Sequence, residues 1–443
     1  MKIWIICLFI FFAFPPHSKA KVYDFTEGNL IRPLFNSRGA VSYKIRLVQN
    51  AKKHIHIMTY YWDDSSFPNS LVDELIKAHE RGVEIRIMTT YLPSLAKDIK
   101  HSAKKKLLAS LEESQSQSIL SYLELTPGNS KTITNNLHEK IFLVDGETAI
   151  LGGRNISDND FKSKDLELLL RGPVVNQVQD HFQKMQTFLI KLKTKKCKSD
   201  DEECITHLEK LNFSKDDLNY FPSPQTYDES IKARIITNDT LIQQNNILLK
   251  SDQSNIKDDI VDTVTKTEFD QLRAYNYFVL PTPKYKNFLI ENLKANKKIS
   301  LITNSHQSSK FISDKGYLLS LKTMKELVDN GASIYEWSGD FFNGLDQLSY
   351  LHEKMLLFDN DHAFIGSHNY GLGSTFVSSE IVIEFYSRSI VDFLTKIYDR
   401  ETGDSVVTNV ATSDSLKKEI KENRLMIRFL NLGFIKTLIS ELY

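Results

Sequence analysis

Leu137-His138-Glu139-Lys140-Ile141-Phe142-Leu143-Val144-Asp145 has a counterpart further along the chain, Leu351-His352-Glu353-Lys354-Met355-Leu356-Leu357-Phe358-Asp359. Six of the nine positions are identical, and the agreement continues downstream. Gly152-Gly153-Arg154-Asn155 follows the first copy and Gly366-Ser367-His368-Asn369 the second, so that in both the Gly lies 14 residues after the His and the Asn 17 after it. Each copy reads as a polar start, an apolar strand and a turn at Asp145-Gly146 or Asp359-Asn360. Alternation along a strand puts His138 with Lys140, and His352 with Lys354, on one face. A second short strand, near Glu147–Leu151 or His362–Ile365, would return the chain and bring Asn155 or Asn369 beside them.

That combination suits a phosphodiester. The ammonium neutralises phosphoryl oxygens, the carboxamide donates a further hydrogen bond, and the imidazole attacks phosphorus or moves protons near neutral pH. Two sets complete a reaction: one His forms a covalent phospho-histidine and the other serves the leaving and entering oxygens. Two lysines supply the positive charge, and no His-Glu-x-x-His or Asp-rich metal loop is present, so neither metal nor cofactor is expected.

The repeated His-x-Lys-x4-Asp with Gly-Gly/Ser-x-Asn closely resembles the phospholipase D superfamily over roughly residues 40 to 400. Gly152 to Asp158, Asp165-Leu166-Glu167, Arg171 to Val175, Leu301 to Ser305 and Ile365 to Asn369 resemble its cardiolipin synthase branch. The resemblance implies an α/β fold, in which two similar α-β-α sandwich domains, duplicated about a pseudo-twofold, share an active site at their interface. It also implies a catalytic set of His138, Lys140, Asp145, His352, Lys354 and Asp359, with His138 as nucleophile and His352 as general acid/base. Lys140, Lys354, Asn155 and Asn369 would bind the phosphoryl group. Asp145 and Asp359 fall on the opposite face of a regular strand and are expected to support its end. A carboxylate from Asp165-Leu166-Glu167 would hold Nδ1 of His138; Asp165 lies 27 residues after that His and Glu167 lies 29 after it, and the resemblance favours Asp165. Glu380, 28 after His352, takes the comparable place in the second half.

Composition is that of a folded globular protein: 443 residues, 41% hydrophobic and 25% charged. Residues 1–20 read as a secretory signal, with Lys2, an apolar run from Ile3 to Ala13 and a small-x-small site at Ser18-Lys19-Ala20. The expected location is therefore periplasmic or secreted, with peripheral membrane association. The chain has 56 basic and 56 acidic residues; without residues 1–20 it loses Lys2 and Lys19 and stands at −2. A dedicated nucleic-acid binder is usually strongly basic, so a phospholipid substrate is preferred and an exported nuclease is the alternative. Cys197 and Cys204, in an exporting context, suggest a disulfide closing a polar loop.

The expected domains are a first phospholipase D-like unit at 21–194, a linker at 195–230, a second unit at 231–400 and an amphipathic helical segment at 401–443. Residues 21–40 read as a lead-in segment. Helices are expected at 42–52, 71–81, 104–114, 174–193, 258–275, 284–295 and 318–330, and strands at 54–60, 83–88, 120–125, 165–170, 231–237, 277–281, 299–303 and 333–337. His54 and His56 share a strand face and are read as packing residues, not metal ligands. Lys104-Lys105-Lys106 reads as a solvated face, Phe341-Phe342 equally as lid packing or acyl-chain contact, and Leu425, Phe429, Leu432, Ile435, Ile439 and Leu442 as a helical apolar stripe that packs on the second domain, with a membrane surface as the alternative.

Overall fold

Among the described residues of the computed structural model, sixteen strands form one sheet. Apart from isolated positions, the structure describes residues 21–90, 120–125, 136–195, 231–240, 257–309, 314–338, 350–403 and 408–431. The signal segment, Lys104 to Lys106, the Cys197 and Cys204 pair, the linker, Phe341-Phe342 and residues 432–443 lie outside these.

The first half contributes β1 (Thr26–Leu34), β2 (His54–Thr59), β3 (Glu84–Thr90), β4 (Leu120–Leu125), β5 (Asn136–Leu137), β6 (Ile141–Val144), β7 (Thr148–Gly152) and β8 (Glu167–Arg171). The second contributes β9 (Ile231–Asp239), β10 (Gln271–Asn276), β11 (Lys298–Asn304), β12 (Ser333–Trp337), β13 (Met355–Phe358), β14 (His362–Gly366), β15 (Ser378–Tyr386) and β16 (Thr408–Ala411). β1 and β9 pair antiparallel at the seam. Outward from that seam one half runs β1-β8-β7-β6-β2-β3-β4 and the other β9-β15-β14-β13-β10-β11-β12-β16. The first seven places correspond one to one, which makes the duplication and its pseudo-twofold visible in the topology.

The motif strands β6 and β13 are interior, flanked by β2 and β7 or by β10 and β14. All eight of their residues are buried, which is why they read as unbroken apolar runs. Helices cover both faces. Val174–Thr194 and Arg388–Gly403 pack into one core cluster that spans both halves. The other face of the first half is covered by Ser37–Asn50 and Ser66–Glu80, and that of the second by Asp259–Val264, Pro283–Lys294 and Asp314–Asp329.

Three expectations are corrected. Residues 21–40 are not merely a lead-in: β1 fills a central place in the sheet, with Asn29 bonding Thr26 and Ile231 carbonyls through its amide and accepting from the Val174 N–H. The helix expected over 258–275 ends at Val264, and the following residues form β10 in place of a strand at 277–281. Leu272, Ala274 and Asn276 are buried, and β10 finds backbone partners on both sides in β11 and β13. Finally, the carboxyl-terminal segment breaks at Asn423 into Ser413–Glu422 and Arg424–Leu430. Leu416, Ile427 and Leu430 pack into the second domain's core, whereas Leu425 and Phe429 are 81% and 54% exposed.

Candidate active site

Each hairpin turns through an aspartate with positive φ, 54° at Asp145 and 50° at Asp359. There the carboxylate collects backbone amides: Lys52, Lys53 and His54 donate to Asp145, and Asp270 and Gln271 donate to Asp359. Both aspartates therefore tie the motif strand to the start of its neighbour, β2 or β10, at the far end of the motif from the His. Their inclusion in the catalytic set is corrected accordingly; the expected support of the strand end is what they provide.

At the opposite end the two halves interlock. The His138 amide donates to the Ser379 carbonyl at 3.0 Å, and the His352 amide donates to the Lys164 carbonyl at 2.8 Å. Each of these carbonyls precedes a carboxylate. Glu380 accepts from Nδ1 of His138 at 2.9 Å, and Asp165 accepts from Nδ1 of His352 at 2.7 Å. The expected pairing of Asp165 with His138 is thus wrong: both carboxylates cross the interface. Sequence offsets of 27 to 29 residues described the repeat correctly but could not show which half each strand end reaches. Glu167 belongs elsewhere, paired to Lys44 at 2.6 Å.

The conserved spacing of Gly152 and Gly366 within the repeat follows from this crowding. A Cβ on Gly152 would strike the Leu166 carbonyl, and one on Gly366 the Ile381 carbonyl. Gly153 similarly lies against the Asp165 carboxylate. In its counterpart position Ser367 donates to Glu380 at 2.5 Å.

Burial shapes the electrostatics. Desolvation, reinforced by neighbouring ammonium groups, lowers His138 to about 4 and His352 to about 3. Desolvation also lowers Lys140 to about 7, with Lys354 adding to the effect, and Lys354 to about 8. Despite burial, His138 holds Glu380 down to about 2, and His352 holds Asp165 below the usual carboxylate value. An ionised carboxylate on Nδ1 fixes the N–H there and leaves the Nε2 lone pair for chemistry. Lys140 donates to the His138 carbonyl at 2.5 Å and Lys354 to that of His352. Asn155 and Asn369 are buried, and their side-chain oxygens have no hydrogen-bond partner.

Two aromatic walls were missed by sequence reading. Tyr60 stands edge-on to His138 at 5.0 Å with Lys140 over its ring, and Tyr277 stands the same way to His352 at 5.2 Å with Lys354 over its ring. Both follow corresponding strands, β2 and β10, a signal available only once β10 is correctly placed. His54 and His56 pack as expected: their rings stack, and His56 lies flat on Phe182 between Gln179 and Glu84. Among the described residues, Asp160, Asp165 and His352 bring potential cation ligands within 4.8 Å of one another, although Asp165 and His352 already bind each other.

Residues 45–186 and 260–402 each match the family model described as cardiolipin synthase, PLD-like domain. The chain belongs to the phospholipase D superfamily, in its cardiolipin synthase-like branch. Its two phospholipase D domains are the two halves of the sheet. An uncharacterized protein of Helicobacter pylori is 25% identical, over 78% of this chain and 74% of its own. Cardiolipin synthase 1 of Bacillus anthracis is 24% identical over 88% and 70%, and cardiolipin synthase C of Escherichia coli 23% over 82% and 83%. The phosphatidylserine synthase of Haemophilus influenzae has the same fold, with a TM-score of 0.66 at 12% identity across 93% of this chain and 95% of its own.

Proposed function

We propose that this phospholipase D-superfamily enzyme is a metal-independent phosphatidyltransferase acting on phospholipid phosphodiesters. The observation that carries the reading is the crossed pair of His–carboxylate bonds, with both motif lysines buried beside them. The family and the named cardiolipin synthases support the lipid substrate.

His138 Nε2 attacks phosphorus as the bond to the leaving alkoxide breaks. His352, which takes up a second proton at Nε2 when the phosphodiester anion enters beside it, gives that proton to the alkoxide. The acceptor hydroxyl then attacks the phospho-histidine, passes its proton to His352 and expels His138 neutral. Lys140 and Lys354 take the charge on the phosphoryl oxygens, and Asn155 and Asn369 donate through their amides. A phospholipid acceptor gives a cardiolipin synthase-like reaction; water gives a phospholipase D. The apolar amino-terminal run supports export, with the enzyme working at a membrane surface from the periplasmic or outer side.

The test is mass spectrometry of lipid products. Residues 21–443 are incubated in EDTA with phosphatidylglycerol and phosphatidylethanolamine vesicles, beside His138→Ala and His352→Ala. New cardiolipin, absent with both variants, is the expected result. Phosphatidic acid alone would make the enzyme a hydrolase. No lipid product from folded protein that cleaves DNA would replace the lipid reading with the nuclease one.

A further inference from the structure

One of the buried differences between the two halves of the site exchanges a hydroxyl for a carboxyl group. Asp160 lies 22 residues after His138, and Ser374 lies 22 after His352. They do the same local work. The backbone amide of Asn369 donates to the Ser374 hydroxyl at 3.0 Å, while Asn155 holds the Asp160 carboxyl through its backbone amide and its side chain, the latter at 3.4 Å. Both are buried, at 4% and 3% exposure. One half therefore carries a neutral hydroxyl where the other carries a carboxyl group.

A carboxylate would be a poor neighbour for a phosphodiester anion. It would also be a poor neighbour for Asp165, whose oxygen, with one from Asp160 and a nitrogen of His352, falls within a 4.8 Å cluster. Two carboxylates that close do not readily ionise together, and the one with the better cationic or donor partner keeps the charge. Asp165 has that partner in the Nδ1–H of His352, so the proton belongs on Asp160.

We propose that Asp160 works as a neutral carboxylic acid, donating a hydrogen bond to the bound phosphoryl group as the counterpart of the Ser374 hydroxyl. The assignment rests on the phosphoryl-transfer reading above and adds to the first-half side a pH-sensitive group that the second half lacks. The charged and titratable groups around Asp160 are Asp165, Lys140, Lys354, His352 and Tyr350. Burial and then Asp165 push Asp160 up to about 6. It therefore holds its proton below that pH and becomes a repelling carboxylate above it. His138 and His352, lowered to about 4 and 3, stay neutral from pH 5 to pH 8 in the empty site. In the parent protein Lys140 and Lys354 lose charge as pH rises through about 7 and 8; the Asp160 carboxyl raises both, so a variant without it loses that charge at lower pH, which works against the expected difference.

The experiment is calorimetric titration of the full chain with inorganic sulfate, a tetrahedral dianion whose own charge is constant over this range. Binding is measured at pH 5 and pH 8 for the parent protein, Asp160→Ser and Asp160→Asn, with Lys354→Met reporting that the sulfate occupies this site. Asp160→Ser copies Ser374, and Asp160→Asn keeps the size of the side chain, so a fold defect in one leaves the other informative. The expected result is that the parent loses at least about ten-fold more affinity between the two pH values than either variant. A parallel loss in all three proteins overturns the assignment and leaves the phosphate site intact. Tighter binding by the parent at pH 8 overturns it too, because an ionised Asp160 would then be helping. No sulfate bound by any protein at pH 5 would remove the phosphoryl site itself, and the proposal with it.

Discussion

At the residue scale, the site is built from pairs whose members come from different halves. Glu380 serves His138 and Asp165 serves His352, so each imidazole is oriented by a group more than 180 positions away. These are charge-assisted bonds in a dry site, where a carboxylate left without its partner is costly. A double-mutant cycle on turnover of His138→Ala and Glu380→Gln should therefore be strongly non-additive, with a coupling of about 1.5–3 kcal/mol. His352→Ala with Asp165→Asn should behave the same way. The mixed cycle of His352→Ala with Glu380→Gln should show a smaller coupling; equal coupling in matched and mixed cycles would contradict the crossed arrangement.

At the element scale, the motif strands are positioned from both ends. Their far ends are held by Asp145 and Asp359, which gather the first amides of β2 and β10. Their near ends are held across the interface by the Ser379 and Lys164 carbonyls. The aspartate of each His-x-Lys-x4-Asp repeat is thus a backbone clasp. Asp359→Ala should cost about 1–2 kcal/mol of stability, read from denaturant unfolding, while keeping most of kcat in the folded protein. By contrast, His352→Ala should lower kcat by at least ~10²-fold, since it removes a proton-transfer group. A loss of turnover in folded Asp359→Ala as deep as that in His352→Ala would place the carboxylate in the chemistry. The helix expected at 258–275 belongs to this scale as well. Propensity alone did not separate a short helix from the strand after it, because what holds β10 extended is pairing with β11 and β13, formed by distant sequence.

At the scale of the whole molecule, one seam joins the two domains into a continuous sheet. β1 lies between β9 and β8, and its Asn29 is fully buried with hydrogen bonds to Thr26, Ile231 and Val174. Helices Val174–Thr194 and Arg388–Gly403 share a core cluster across the same junction. Asn29→Ala strips partners from buried backbone groups and should cost about 2–4 kcal/mol. Because both imidazoles take their carboxylate from across the interface, activity and tertiary structure should be lost together on heating. Thermal melts by near-ultraviolet circular dichroism beside residual turnover would check this, and full activity persisting well beyond the tertiary transition would show that the seam does not support the site.

The amino-acid sequence by itself determined the repeat, the residue types of the site and the family. Those rest on local spacing: His-x-Lys puts two groups at a strand start, Gly at position 14 permits the close approach of the strand beyond it, and the Asn at 17 is buried in both halves. It also carried both carboxylates, Asp165 and Glu380, though not their owners. Only the tertiary structure decided which half each one serves, that β1 is the seam, and that Tyr60, Tyr277 and Asp160 belong to the site. The reason is physical. Strand period and turn chemistry act over a few residues, whereas the partner of a strand end is chosen by how two folded sheets meet edge to edge. No offset along the chain encodes that meeting.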